Sequence, residues 1–343
     1  MRKLLLVLLS TGLLLPMVAF AQKRLPRECR QEIRQLCGQS NGRRAKIECL
    51  RKKSGQLSQH CHSELKARIG AKRKGRQKRS IGKQSAFNAS EYSYGTHEKQ
   101  KLDFFGVENS RNAPLIVFVH GGGWSLGDKK GRNENKSAFY NGLGYAFASL
   151  NYRLVPETKP DGQAADIADA IAYLRKDSTK LGFDPNHIVL MGHSAGAHLA
   201  ALVSTDTSYL EKANVPLSSI AGTILLDGAG YDVEKQMKQP GTKRLLKRMF
   251  VAAFSNNKTT QRRLSPVNHV STPNGSNWLI LHVASRADAK EQSELLGNKL
   301  QQNRAKVTVT AIPNSSHRSI NKDAGTSGSA VGNEITAFLK RVL

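Results

Sequence analysis

Cysteine is absent from the last 258 residues of this 343-residue chain; all four, Cys29, Cys37, Cys49 and Cys61, fall in the first quarter. Disulfides and thiolate chemistry are thereby excluded from most of the protein. Long apolar runs are scarce too, since after the first 21 residues no segment approaches the ~20 apolar residues that span a bilayer. Acids are few, 26 against 53 Lys+Arg. The shortage is local: residues 1–85 hold 4 acids against 22 bases, residues 86–343 hold 22 against 31, and two thirds of the +27 net charge precedes residue 86.

The first residues read as an address rather than as structure. MRK, then LLLVLLSTGLLLPMVAF, then Ala19-Phe20-Ala21 are a basic start, an apolar stretch and a small-x-small cleavage site. The competing reading, a membrane anchor, is opposed by Ser10, Thr11, Gly12 and Pro16 inside the run. The expectation is a signal peptide over 1–21 and an exported, periplasmic or secreted product with no transmembrane segment after cleavage. For such a product a basic field favours acidic lipids or envelope polymers over any specific nucleic acid, although a merely solvated basic stretch fits equally well.

An even cysteine count in an exported chain implies disulfides. Zinc competes, but no C-x-x-C pair is present. In RECRQEIRQLC, Cys29, Ile33, Leu36 and Cys37 fall on one face of a helix; GQSNG is a turn and AKIECLRKK starts a second helix. The segments CRQEIRQLC, IECL and LSQHC resemble the cysteine-rich repeat named after a Golgi glycoprotein, over about residues 27–62. The resemblance implies a helical structural or interaction module at 22–62. If the two helices form a hairpin, Cys37 and Cys49 flank the turn and Cys29 and Cys61 lie at its open end, which gives nested bridges; three connectivities are possible in principle.

From Glu64 to Gln84, ELKARIGAKRKGRQKRSIGKQ carries nine Lys/Arg and one acid and cannot bury a core, so 63–85 reads as a basic linker. Its RQKR at 76–79 is also a possible processing site. Through this linker the protein would meet anionic membrane or envelope surfaces.

From residue 86 onward short apolar runs alternate with helical patterns. LIVFVH, AFASLNY, HIVLM, GTILLD, WLILHV and KVTVTAI read as buried strands; QAADIADAIAYLRK, GAHLAALV, AKEQSELLGNKLQQN and NEITAFLKRV have helical spacing. Such alternation predicts an α/β fold, a mostly parallel sheet with helices on both faces, whose function lies at the carboxyl ends of the strands.

At the end of HIVLM stands GHSAG, residues 192–196, a G-x-S-x-G elbow that would lift the Ser194 hydroxyl above the sheet at a helix N-terminus. The N–H of Ala195 would face a developing oxyanion. HGGGW, after LIVFVH, adds a glycine run whose Gly122 and Gly123 are further donors. A base should come last, and His317 in PNSSHRS, just beyond KVTVTAI, satisfies order and context. His193 and His198 would shape the elbow, and His282 would end a buried strand.

YGTHEKQKLDFF, HGGGW, LNYRLVPE, GHSAGAHLAAL and the late His in NSSHRSI together resemble the α/β-hydrolase esterase/lipase family related to hormone-sensitive lipase, over essentially all of 90–343. GHSAGAHL leans toward the branch of kynurenine formamidases and feruloyl or acetylxylan esterases. The resemblance implies a serine carboxylesterase acting on small-molecule esters, short-chain or aryl, with no metal or organic cofactor. Amide or formamide hydrolysis, and a catalytically silent fold that only binds a surface, are its rivals.

The family's acid normally follows the next-to-last strand, but there this chain reads HVASRADA, with Arg286 where an Asp is often found. Asp288 is the only carboxylate before the next helix and obeys the order Ser, Asp, His, so it is the expected acid; Asp227 and Asp232 are the alternatives. Between GTILLD and WLILHV a long insertion should cover the site, with LLKRMFVAAF as a possible acyl or aryl wall.

Overall fold

The structure is a computed structural model that describes residues 26–39, 48–50, 52–63, 89–131, 134–239, 244–271 and 274–343. The signal segment at 1–21 and all of the linker but residue 63 lie outside the described residues. The chain divides into two compact units, Met1–Ala86 and Phe87–Leu343.

In the first unit, helix α1 (Arg27–Cys37) follows Pro26 and turns Cys29 and Cys37 inward. Residues 48–50 and 52–53 are helical, as are 59–63. The bridges are Cys29–Cys61 and Cys37–Cys49, the nested pair expected of a hairpin. Among the described residues its buried cluster is Cys29, Leu57 and Cys61, with Ile33, Leu36 and Leu50 packed against it. A core that small cannot hold a fold by apolar burial, so the crosslinks must supply most of the constraint.

The second unit is built on eight strands: β1 (Ser90–Ser93), β2 (Lys101–Phe105), β3 (Ala113–Val119), β4 (Ala146–Leu150), β5 (Phe183–His193), β6 (Ile220–Leu226), β7 (Asn277–Val283) and β8 (Lys306–Ile312). They lie in the order β1-β2-β4-β3-β5-β6-β7-β8. β1 pairs with β2 and β2 with β4 antiparallel, and every other pairing is parallel. The helices that matter for the site are α2 (Glu134–Asn141), α3 (Pro160–Lys176), α4 (Ala195–Thr205), α5 (Arg244–Phe254), α6 (Ala287–Gln302), α7 (His317–Asp323) and α8 (Ala330–Val342).

The central strands are apolar throughout because both faces are covered. Along β3, Leu115, Val117 and Val119 pack with Ile167 and Ile171 of α3 and Leu199 and Leu202 of α4. Ile116 and Phe118 point the other way, toward Tyr140 of α2, Ile320 of α7 and Phe338 of α8. This is the mostly parallel, doubly covered sheet expected from the alternation, and the α/β-hydrolase fold that the resemblance implied. β1 and β2 were not foreseen: they are short, polar at several positions, and their edge pairing gives no continuous apolar run.

Candidate active site

Every site residue sits where a parallel strand ends. β5 runs to His193, Ser194 is the next residue, and α4 begins at Ala195. Ser194 has φ 58° and ψ −121°, a conformation a non-glycine residue adopts only when its surroundings force it. Two close approaches do so here: a Cβ on Gly192 would collide with the Gly196 backbone, and one on Gly196 with the Val119 carbonyl. The strain therefore follows from the spacing of GHSAG, and it presents the hydroxyl at the N-terminus of α4. There the Ala195 N–H belongs to the helical turn whose donors have no intrahelical acceptor.

Opposite the hydroxyl, β8 ends at Ile312 and the chain turns into α7, whose first residue is His317. The motif PNSSHRS gave no sign of a helix there. Yet Ser316 caps one: its side chain accepts from Ser319 N, and the Ser319 side chain accepts from the Ser316 backbone N–H. His317 Nε2 lies 3.0 Å from Ser194 Oγ. His193 Nε2, donating to the His317 carbonyl at 2.8 Å, ties α7 to the end of β5. Burial above all, and the neighbouring His317, push the His193 imidazole down to about 3, so it holds this position uncharged at neutral pH.

The carboxylate that lies against His317 is that of Asp227, not of Asp288. Asp227 follows β6 directly, and its Oδ2 lies 2.6 Å from His317 Nδ1. Asp288 belongs to the first turn of α6, and its Oδ2 receives Arg286 Nη2 at 2.7 Å. Asp232, the other alternative, caps a short helix by accepting from Lys235 N. The expectation failed because chain order is satisfied by any carboxylate between Ser194 and His317. Reach decides, and β6 lies beside β5, one strand nearer to Ser194 than β7. The legible signal was an ionisable residue ending an apolar strand with nothing between them.

Asp227 is completely buried, with φ 45°. Burial alone would raise its carboxyl; the hydrogen bond to His317, the Arg286 charge and the N–H of Val283 outweigh it and bring it down to about 2. Its Oδ1 accepts from Val283 N at 3.0 Å and its Oδ2 from Arg286 Nη1 at 2.5 Å. With Nε2 accepting from the serine, Nδ1 carries the imidazole proton and donates it to Oδ2.

The glycines of HGGGW share a cavity of about 740 Å³ with Ser194 and His317. Gly121 lies so near the elbow that a Cβ would come within 2.8 Å of the Ser194 Cβ. Across the cavity α5, from the LLKRMFVAAF segment, contributes Leu246, Met249 and Phe250. Met249 closes over Gly123, its terminal methyl standing where a Cβ would be, and Gly123 has φ 60°. Trp124, buried behind them, donates Nε1–H to His198 Nδ1 at 3.2 Å, and His198 Nε2 donates to the Leu264 carbonyl at 2.8 Å. His282 is buried within β7. Sequence reasoning missed Lys136 on α2, fully buried, its Nζ without a hydrogen-bond partner among the described residues and 4.8 Å from the centre of the Phe118 ring. Nothing in the polar stretch ENKSAFYN distinguished it.

Among proteins of known name, the chain is 27% identical over 172 residues to a probable isoprenylcysteine alpha-carbonyl methylesterase of Oryza sativa subsp. japonica, covering 48% of this chain and 41% of that protein. It is 32% identical over 123 residues to the esterase LipQ of Mycobacterium tuberculosis, covering 35% and 29%. The chain thus spans less than half the length of these relatives. Of solved structures, esterase B of Lactobacillus rhamnosis superimposes with a TM-score of 0.60 at 20% identity, over 81% of this chain and 92% of that one. That likeness is one of fold. The family model BD-FAE matches residues 102–300, from β2 through most of α6 and more than half of the chain, and the chain accordingly belongs to the BD-FAE family.

Proposed function

We propose that this protein is an exported serine carboxylesterase, acting on short-chain or aryl esters through Ser194, His317 and Asp227. The observation that carries the reading is the relay of hydrogen-bonding distances, 3.0 Å from Ser194 Oγ to His317 Nε2 and 2.6 Å from His317 Nδ1 to Asp227 Oδ2. Family membership and the names of the relatives support ester hydrolysis.

In this reading Ser194 Oγ attacks the ester carbonyl carbon while His317 Nε2 takes its proton. The carbonyl oxygen becomes an oxyanion held by the N–H groups of Gly122, Gly123 and Ala195. Collapse of the tetrahedral adduct breaks the bond to the alcohol oxygen, which receives the proton from His317 and leaves an acyl-Ser194 ester. A water molecule then repeats the sequence, with His317 again as base, and releases the acid. Asp227 holds the imidazole tautomer and stabilises the imidazolium. The apolar wall of Leu246, Met249 and Phe250 would bound the acyl or aryl group.

Export rests on the first 21 residues, and attachment to anionic lipid or envelope polymer on the basic stretch 63–85; both are proposals from sequence. Among the described residues no helix is long and apolar enough to cross a membrane. Hydrolysis of p-nitrophenyl acetate and butyrate by the wild type, lost in Ser194→Ala with the fold retained, tests the reading. Hydrolysis by that variant within tenfold of wild type would refute it.

A further inference from the structure

We propose that Arg286 is a positioning residue of this site: it clamps the displaced acid Asp227 against His317, and Asp288 serves as its counter-ion. The inference rests on the esterase reading above and concerns its acid.

Arg286 stands directly before α6, just beyond the end of β7. Its Nη1 reaches Asp227 Oδ2 at 2.5 Å and its Nη2 reaches Asp288 Oδ2 at 2.7 Å. The planar fork meets each carboxylate with a different nitrogen in a fixed direction, whereas an ammonium would have to reach both from a single nitrogen. Nη1 also lies 2.9 Å from His317 Nδ1. Both nitrogens carry hydrogen, so they do not bond one another but converge on the same Oδ2. With Oδ1 taken by Val283 N, Asp227 has neither oxygen free to rotate away from the imidazole.

This convergence has an electrostatic cost, because a guanidinium beside Nδ1 opposes the imidazolium that forms in the transition state. Asp288, on the far side of the guanidinium, offsets it. The two functions separate experimentally, since one depends on geometry and the other on charge. Among the described residues the charged and titratable groups around His317 are Asp227 beyond β6, Arg286 beyond β7 with Asp288 behind it, and His193 from β5, with Lys136 of α2 acting on His193. Only Arg286 and Asp288 change in the variants below.

The test is the pH profile of kcat and KM for a p-nitrophenyl ester in wild type, Arg286→Gln, Asp288→Asn and the double variant, with thermal melts as the folding control. Arg286→Gln should lower kcat by about ten- to a hundredfold with KM within about threefold. Its acid limb should move to higher pH by roughly half a unit or more, because a cation near the base is gone. Asp288→Asn should move that limb to lower pH. In the double variant the limb should return toward wild type while kcat stays low, because charge is restored and the clamp is not. A kcat for Arg286→Gln within threefold of wild type, an unmoved limb, or a double variant with wild-type kcat would each overturn the proposal. Should Arg286→Gln not fold, Arg286→Lys decides: charge is kept and the two-carboxylate span lost, so kcat should fall with the limb in place, and wild-type kcat there overturns the proposal. Asp227→Asn run in parallel separates the failures: inactivity there beside a normal Arg286→Gln sinks only the clamp, whereas a normal Asp227→Asn sinks the triad itself.

Discussion

Asp227 Oδ2 lies 2.6 Å from His317 Nδ1, and the carboxylate that chain order favoured, Asp288, is turned instead to Arg286. Among the described residues the imidazole therefore has one carboxylate partner, delivered by β6, the strand next to the one that ends at Ser194. Substituting Asp227 by Asn removes the acceptor charge and permits the wrong tautomer, so kcat should fall by about three to four orders of magnitude. Asp288→Asn leaves the Asp227–His317 pair intact and should cost no more than about tenfold. A steady-state comparison of the two variants reads this directly; an equal loss in both would mean that Asp288 shares the role.

How much of this was readable in advance depended on what packs on both sides. β3 to β7 were legible because strands sandwiched between helix layers present apolar runs, as VFV in β3 and ILL in β6 do, whereas β8, at the sheet edge, was legible from its alternation KVTVTAI and is buried only at Ile312. Ser194 was legible because its elbow is local: five residues dictate the turn. The acid was not, since both Asp227 and Asp288 meet the order and only the lateral order of strands says which one reaches His317. α7 escaped notice because HRSINKD buries only Ile320 and owes its start to the Ser316–Ser319 cap.

Lys136 predicts a stability effect separable from activity. Its amine is fully buried without a hydrogen-bond partner among the described residues, and burial pushes it down to about 7. Between about pH 7 and the ordinary lysine value of about 10.4, the unfolded chain binds a proton that the folded protein does not, so stability rises with pH across that window. Lys136→Met removes the penalty. Its melting temperature should exceed that of wild type by roughly 3–8 °C at pH 7 and by progressively less toward pH 10. A Met variant that melts below wild type at pH 7 would show the amine to be satisfied by something unseen.

The disulfides should matter to one unit and not to the other. All proposed catalytic residues lie within Phe87–Leu343, whereas both bridges lie within Met1–Ala86. Reduction under non-denaturing conditions should unfold the small helical module, seen as loss of protease resistance before residue 64, while ester hydrolysis changes by less than about twofold. A parallel loss of activity would tie the module to the site.

The nine Lys/Arg between 66 and 83 predict retention on vesicles of acidic lipid that weakens steeply with salt. Deleting 63–85 should abolish retention and leave hydrolysis unchanged. Retention that survives the deletion would reduce this stretch to a spacer.

Whether Ser194 is an activated nucleophile decides the proposed mechanism. Intact-mass analysis after treatment with a fluorophosphonate probe tests this most directly, because only a serine deprotonated by its neighbours reacts quickly at neutral pH. The account predicts one adduct per chain on the wild type, mapped to Ser194, and markedly slower labelling of Asp227→Asn. A folded wild-type protein that takes up no probe, or takes it up at another residue, would contradict it.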